Sequence, residues 1–302
     1  MDFDRYEEPR EDGPLAWKVS RRQFLKAVGG MMIGAAAVGA GGLAYAIQIE
    51  PGWIDLVPIE LTLPSLDPAF AGFRLVQLSD MHLSEAFTAE HVEEAFRLAL
   101  ECKPDLIALT GDYIHLRRGL RKSIRALTPL LRSLSDQVQT LAVVGNHDYF
   151  VDVNETRKML YEAGVQELRN QSVSLRRGDA QFHIVGLDDA WDGRPRLEEA
   201  LGEVPEDGAA VLLVHEPDYA DVSSRTGRFD LQISGHSHGG QVVLPLVGPP
   251  IRPYLARKYP LGLYQVDRMY QYTNRGLGMT RPFVRFNCRP EITLFTFQSG
   301  LG

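Results

Sequence analysis

At 302 residues, 44% hydrophobic and 24% charged, the chain has the composition of a folded globular protein with a substantial core. Its net charge of -7 leaves no basic footprint, so no nucleic-acid partner is expected, although a bound divalent cation can still draw an anionic substrate. Two cysteines, Cys102 and Cys288, make no disulfide framework and are read as unpaired buried thiols.

Residues 1–19 are polar and rich in charge, and the uncharged segment from Ala27 to Ile49 follows Ser20-Arg21-Arg22-Gln23-Phe24-Leu25-Lys26. That heptad and the Gly- and Ala-rich run behind it resemble a twin-arginine (Tat) export signal. Two arginines before an apolar run also fit a positive-inside anchor. Ala44-Tyr45-Ala46 suits signal cleavage, yet the segment is long enough to span a bilayer of about 30 Å. The expectation is passage through the Tat machinery to the periplasm, or to the outer face of the cytoplasmic membrane or cell wall. Retention through residues 27–49 would add membrane association. Because the Tat route carries folded proteins, any metal the chain binds could be loaded before export, where supply can exclude the wrong ion.

The body reads as one domain, 51–302, after an N-terminal region 1–50. Ile54–Leu63 alternates in part and tolerates Pro58, as an edge strand would. Phe73–Ser79 is an apolar strand running into Asp80-Met81-His82. Thr88–Glu101 has helical spacing at Val92, Ala95, Phe96 and Ala99, with Thr88 as N-cap. Asp105–Thr110 is a buried strand ending in Gly111-Asp112, and Gly119–Ser133 a second amphipathic helix. Leu141–Val144 is a third buried strand, closed by Gly145-Asn146-His147-Asp148, with a helix over Asn154–Ala163. This alternation predicts βαβ units and a sheet that begins parallel. The second half is richer in strand. Val173–Leu175 and Phe182–Leu187 flank a turn at Arg177-Gly178-Asp179, and Ala209–Val214 ends in His215-Glu216-Pro217. Phe229–Ser234 ends in Gly235-His236-Ser237-His238-Gly239-Gly240-Gln241. Further strands are expected at Gly262–Val266, Tyr270–Asn274 and Ile292–Phe297.

Five strand-like runs therefore stop at donors: Asp80 and His82, Asp112, Asn146, His215, and His236 with His238. Ligands of open α/β sheets collect outside the carboxyl ends of strands. Carboxylate, amide and imidazole donors without thiolates suit Mn, Fe or Zn. The ordered blocks Asp80-x-His82, Gly111-Asp112, Gly145-Asn146-His147-Asp148, His215 and Gly235-His236-x-His238 resemble the calcineurin-like metallophosphoesterase superfamily. Gly239-Gly240-Gln241 and Arg285–Ile292 are similar to its bacterial Tat-exported branch of YkuE/YaeI type.

The resemblance implies a metallo-dependent phosphatase fold, an α/β four-layer αββα sandwich of two mixed β-sheets flanked by helices. It further implies two divalent metal ions, one on Asp80, His82, Asp112 and His238, the other on Asp112, Asn146, His215 and His236, with Asp112 bridging. The reaction it implies is phosphodiester hydrolysis by a metal-bridging hydroxide, in-line and without a protein nucleophile. His147 would stabilise the transition state or protonate the leaving oxygen, and Asp148 would hold its ring. The alternatives are a pyrophosphatase for a lipid-linked or nucleotide-sugar-lipid envelope substrate and, more remotely, a non-catalytic binding module.

Other polar residues are read more plainly. His91 and His115 are taken as solvated or packing residues, and His183 as a satisfied sheet residue. Asp188-Asp189 ends a strand and could lie near the site. Arg117, Arg118, Arg121 and Lys122 read as a solvated helix start, any one of which could meet a substrate phosphate. The Pro245–Pro260 stretch is either an apolar lid or a connecting loop.

Overall fold

The computed structural model describes residues 20–202 and 204–301, so the charged leader 1–19 lies outside the described residues. Helix α1 covers Arg21–Gln48. Among the described residues, no helix is long and apolar enough to cross a membrane. The chain divides into a unit ending at Ala44 and a body from Tyr45 onward. The body begins before residue 51 because Glu50 is built into it. The Glu50 carboxylate is buried and accepts the Asn287 N–H at 2.9 Å, while the Ala46 carbonyl accepts from Arg285 N–H.

Among the described residues, twelve strands form two six-stranded mixed sheets. The first contains β1 (Asp55–Leu63), β2 (Phe73–Leu78), β3 (Leu106–Thr110), β4 (Thr140–Val143) and β5 (Gln166–Glu167). The second contains β6 (Gln171–Arg177), β7 (Ala180–Gly186), β8 (Ala209–Leu213), β9 (Leu231–Ser234), β10 (Gly262–Val266) and β11 (Met269–Thr273). The last strand, β12 (Glu291–Ser299), returns to the first sheet between β1 and β2. Strands β2 to β5 are parallel neighbours, as the strand–helix alternation predicts. Pro58 is tolerated because β1 lies at a sheet edge.

Successive side chains of the central strands point to opposite faces, and this alternation builds the layers. Leu75, Leu106, Ala108, Leu141 and Val143 meet Phe182, Val211, Leu213, Leu231 and Ile233 in the core between the sheets. On the other face, Val76, Leu78, Ile107, Leu109 and Ala142 pack against α2 (Ala89–Glu101), α3 (Leu120–Ser135) and α5 (Val153–Glu162). Helix α2 buries Val92, Ala95, Phe96 and Ala99, the stripe expected from its spacing. His91 belongs to its cap, where its Nδ1 accepts the Thr88 N–H at 3.1 Å. The far face of the second sheet, through Val185, Ala210, Leu212 and Val214, carries only short helices. The result is the αββα sandwich, thin on one side.

Beneath the strand ends, the buried Gln77 crosses the inter-sheet layer. Its Nε2 donates to Thr110 Oγ1 of β3 and to the Ser234 carbonyl of β9, each at 3.0 Å. Both cysteines are free and buried.

Candidate metal centre

The parallel strands of both sheets deliver their polar ends to one place. Asp80, His82, Asp112 and His238 present donor atoms within 4.8 Å of one another, and Asp112, His215 and His236 do likewise. Asn146 reaches the second group, its Oδ1 lying 3.0 Å from His236 Nδ1. Asp112 belongs to both groups. Its Oδ2 stands 3.2 Å from His82 Nε2 and 3.2 Å from His215 Nε2. All seven residues named as metal donors are thus brought together.

Five of the seven, Asp80, His82, Asp112, His236 and His238, have φ between 41° and 69°. Left-handed backbone is uncommon for residues with a Cβ, and it persists where surrounding structure over-determines it. Here it aims successive side chains at one point from sharply turned strand ends. Two glycines supply the room. A Cβ on Gly145 would collide with Asp112 Oδ1 and His215 Nε2, and one on Gly235 with Ser79 Oγ and Asp80 Oδ2.

The donor atoms are oriented from behind. Ser79 Oγ donates to Asp80 Oδ2 at 2.6 Å, and His236 N–H reaches the same carboxylate at 3.1 Å. His147 N–H donates to Asp112 Oδ1 at 2.9 Å. His215 Nδ1–H is directed to the Thr110 carbonyl at 2.6 Å, and His236 Nε2–H to the Tyr254 carbonyl at 2.8 Å. Such outer contacts fix the tautomer of a metal-binding imidazole.

The residues fit cations. His82 Nε2 and His238 Nε2 face each other at 3.0 Å, lone pair toward ring nitrogen. His215 Nε2 is buried and makes no hydrogen bond, although Asp112 Oδ2 stands 3.2 Å away. Buried polar atoms left this way are costly unless something else satisfies them, and a positive ion among converging lone pairs does so. Burial depresses His82, His236 and His238, holding His236 down to about 3, so these rings are neutral donors. Burial would also depress His215, but Asp112 and Asp80 facing it hold it well above its ordinary value. For Asp112, burial pushes upward, and the imidazoles of His215 and His147 bring it well below the usual carboxylate range.

One expectation needs correction. Asp148 does not hold the His147 ring. It stands at the start of α4 (Asn146–Val151), and its carboxylate accepts backbone N–H groups from Asp112 at 2.9 Å, Tyr113 at 3.1 Å and Gly145 at 2.9 Å. Burial and the neighbouring Asp112 push Asp148 up to about 8, against the pull of those three donors. The His147 Nδ1 is buried with no partner, and the ring packs edge-on against His82 at 4.6 Å. Asp148 therefore fixes the backbone that carries Asp112.

His115, read as a packing residue, is buried against the site. Its ring lies 5.5 Å from that of His82 and stacks on that of His147 at 5.9 Å. His82, His115 and His147 make a third close imidazole grouping, without a carboxylate. Its nearness follows from the turn after Asp112, which strand patterning does not reveal. His183 is satisfied within the sheet by Ser174 Oγ and the Asp207 carbonyl. Asp188 takes a structural part, accepting from Tyr149 Oη at 2.7 Å and pairing with Arg157 at 2.8 Å. Arg117, Arg118, Arg121 and Lys122 are exposed and do not line the cavity above the donors.

That cavity, of about 310 Å³, has Asp112, Asn146, His147, His236 and His238 in its floor. Its walls include Trp191, Val242, Ile251 and Pro253. The Pro245–Pro260 stretch is thus part of the wall. Trp191, which the sequence reading passed over, meets the His236 ring edge-on at 5.6 Å. No local pattern marks it.

Two adjoining sets of carboxylate and imidazole donors, at the strand ends of an αββα sandwich, define a metal-dependent hydrolase of phosphate esters. Residues 73–240 match the calcineurin-like phosphoesterase family. The chain is 40% identical over 285 residues to the uncharacterised metallophosphoesterase YkuE of Bacillus subtilis (strain 168), covering 93% of this chain and 99% of that one. It is 34% identical over 282 residues to the phosphodiesterase YaeI of Escherichia coli (strain K12), covering 91% and 98%. At greater distance it is 27% identical over 312 residues to the UDP-2,3-diacylglucosamine pyrophosphatase LpxG of Chlamydia muridarum (strain MoPn / Nigg), covering 83% and 91%. This chain belongs to the calcineurin-like phosphoesterase family. The fold works with two divalent cations, and the two donor groups offer a place for each.

Proposed function

We propose that the chain is an exported phosphodiesterase. The observation that carries the catalytic part is Asp112 Oδ2 standing 3.2 Å from both His82 Nε2 and His215 Nε2 beneath a largely apolar cavity. In this reading Asp80, His82, Asp112 and His238 hold one divalent cation. Asp112, Asn146, His215 and His236 hold the other. When bound, the pair supplies Lewis acidity and neutralises charge on a transferring phosphoryl group. Ser79 and the His236 N–H keep the Asp80 carboxylate in place, and Thr110 and Tyr254 keep the imidazoles turned inward. His147 lies in the cavity floor with Nδ1 buried, which leaves Nε2 to donate a proton to the leaving oxygen. The apolar wall of Trp191, Val242 and Ile251 excludes water around an ester substituent, which favours a diester with two organic arms.

The test is Mn-loaded protein on bis(p-nitrophenyl) phosphate and on p-nitrophenyl phosphate. A higher kcat/KM on the diester is expected; faster turnover of the monoester overturns the assignment. A second reading, a pyrophosphatase for a lipid-linked envelope substrate, draws support from the exposed Ile251 in the cavity wall and the exposed Leu246 and Val247 of the same stretch. The relative LpxG, a UDP-2,3-diacylglucosamine pyrophosphatase, points the same way. Export rests on Ser20–Lys26 and the Gly- and Ala-rich run after it. Replacing Arg21 and Arg22 by Lys should retain the protein in the cytoplasm; unchanged export would remove the Tat route.

A further inference from the structure

Among the described residues, Arg281 is the one arginine or lysine that lines the cavity. It is exposed and makes no ion pair among the described residues. Its guanidinium lies 5.6 Å from the Phe283 ring centroid, and that ring meets His115 edge-on at 5.2 Å, next to His147. The segment bearing it is braced to the donor loop. Gln241, three residues after His238, takes the Thr280 N–H on Oε1 at 2.6 Å and gives Nε2 hydrogen bonds of 3.1 Å to the Thr280 and Pro282 carbonyls. The Gln241 carbonyl accepts from Phe286 N–H at 2.9 Å. The Gly239-Gly240-Gln241 extension of the His238 motif thereby acquires a structural task. It sets the backbone of Arg281 at a fixed place relative to the floor.

Charge counting says what the arginine is for. Two divalent cations against the carboxylates of Asp80 and Asp112 leave the floor with surplus positive charge. One phosphodiester group, with a single negative charge, is already neutralised there. A further unpaired guanidinium on the same cavity suits a second anion, and its planar fork matches phosphoryl oxygens.

We propose that Arg281 forms a subsite for a second phosphoryl group, so that the preferred substrate is a diester of pyrophosphate type. One phosphorus lies over the floor and the other against Arg281. This rests on the phosphoesterase reading of the floor given above, and it names the class of substrate that floor receives.

The test is calorimetric binding to the full Mn-loaded chain of two non-hydrolysed ligands. These are methylenediphosphonate carrying one ethyl ester on each phosphorus, and diethyl phosphate. The diphosphonate is expected to bind at least about tenfold tighter, the scale of one hydrogen-bonded charge. Arg281→Gln should remove most of that advantage and leave diethyl phosphate affinity and Mn content unchanged; Arg281→Lys should retain part of it. Equal affinities in the native chain overturn the subsite. So does an Arg281→Gln variant that weakens both ligands alike or neither. Because binding needs no turnover, failure of native protein to hydrolyse any diester sinks the preceding functional reading separately.

Discussion

The two sheets contribute to the centre in different currencies of chemistry. The first supplies mainly oxygen to the seven donors: Asp80 after β2, Asp112 after β3 and the amide of Asn146 after β4, with His82 the single imidazole among them. The second supplies nitrogen alone: His215 after β8, and His236 and His238 after β9. Two of the orienting contacts run crosswise. The Asp80 carboxylate of the first sheet is held by the His236 N–H of the second, and the His215 ring of the second by the Thr110 carbonyl of the first. Neither sheet carries a finished half-site. The oxygens bring negative charge that needs donors and the imidazoles bring lone pairs that need a fixed tautomer; for Asp80 and His215 the opposite backbone meets that need, while Asp112 and His236 are held from their own side by the His147 N–H and the Tyr254 carbonyl.

The sharpest way to break this comparison is at the oxygen shared by both groups. Asp112→Asn should abolish turnover and release both ions, read by elemental analysis and diester hydrolysis. Retention of either ion at native level would end the bridging assignment. Next in size, His147→Asn should lower kcat by about 10²- to 10⁴-fold, the range for a lost general acid, while the metal content holds. Parallel loss of both would place His147 in the ligand shell instead. Ser79→Ala, which removes one outer contact to Asp80, should weaken metal binding by about 10- to 100-fold with the fold intact. An unchanged Mn titration would show that the backbone donors suffice.

The smallest effect is a protonic one from the nitrogen side. His215 is held above its ordinary pKa in the metal-free chain, yet it must be neutral to ligate. Uptake of Mn should therefore release protons near neutral pH, that of His215 among them. Affinity should climb as pH rises toward the raised value and flatten beyond it. A pH-stat titration with no proton release would mean that His215 and its buried neighbours are already deprotonated.

What could be read from the sequence was whatever repeats with strand or helix period. Apolar runs that stop abruptly at Asp80, Asp112, Asn146, His215 and His236 exposed both the parallel strands and the donors at their ends. Helix α2 was legible through its cap and stripe for the same reason. Conformation at the turns was not. Left-handed backbone at five donors is set by the surrounding tertiary structure, which no local propensity encodes. The direction of Asp148 was missed because adjacency to His147 suggested a partner, whereas three N–H groups converging on its carboxylate decide where it points. His115, Trp191 and Arg281 come from separate loops and meet the site only through tertiary packing.

Gln77 gives this arrangement a mechanical meaning. A single amide clasps Thr110 and Ser234 directly below the places where the two sheets surrender Asp112 and His236. It behaves as a dowel between two boards: slide one board by a residue, about 3.3 Å, and the donors of the two sheets no longer converge. Ion occupancy is consequently a gauge of alignment, and only a chain whose halves have locked together can carry its cargo of cations.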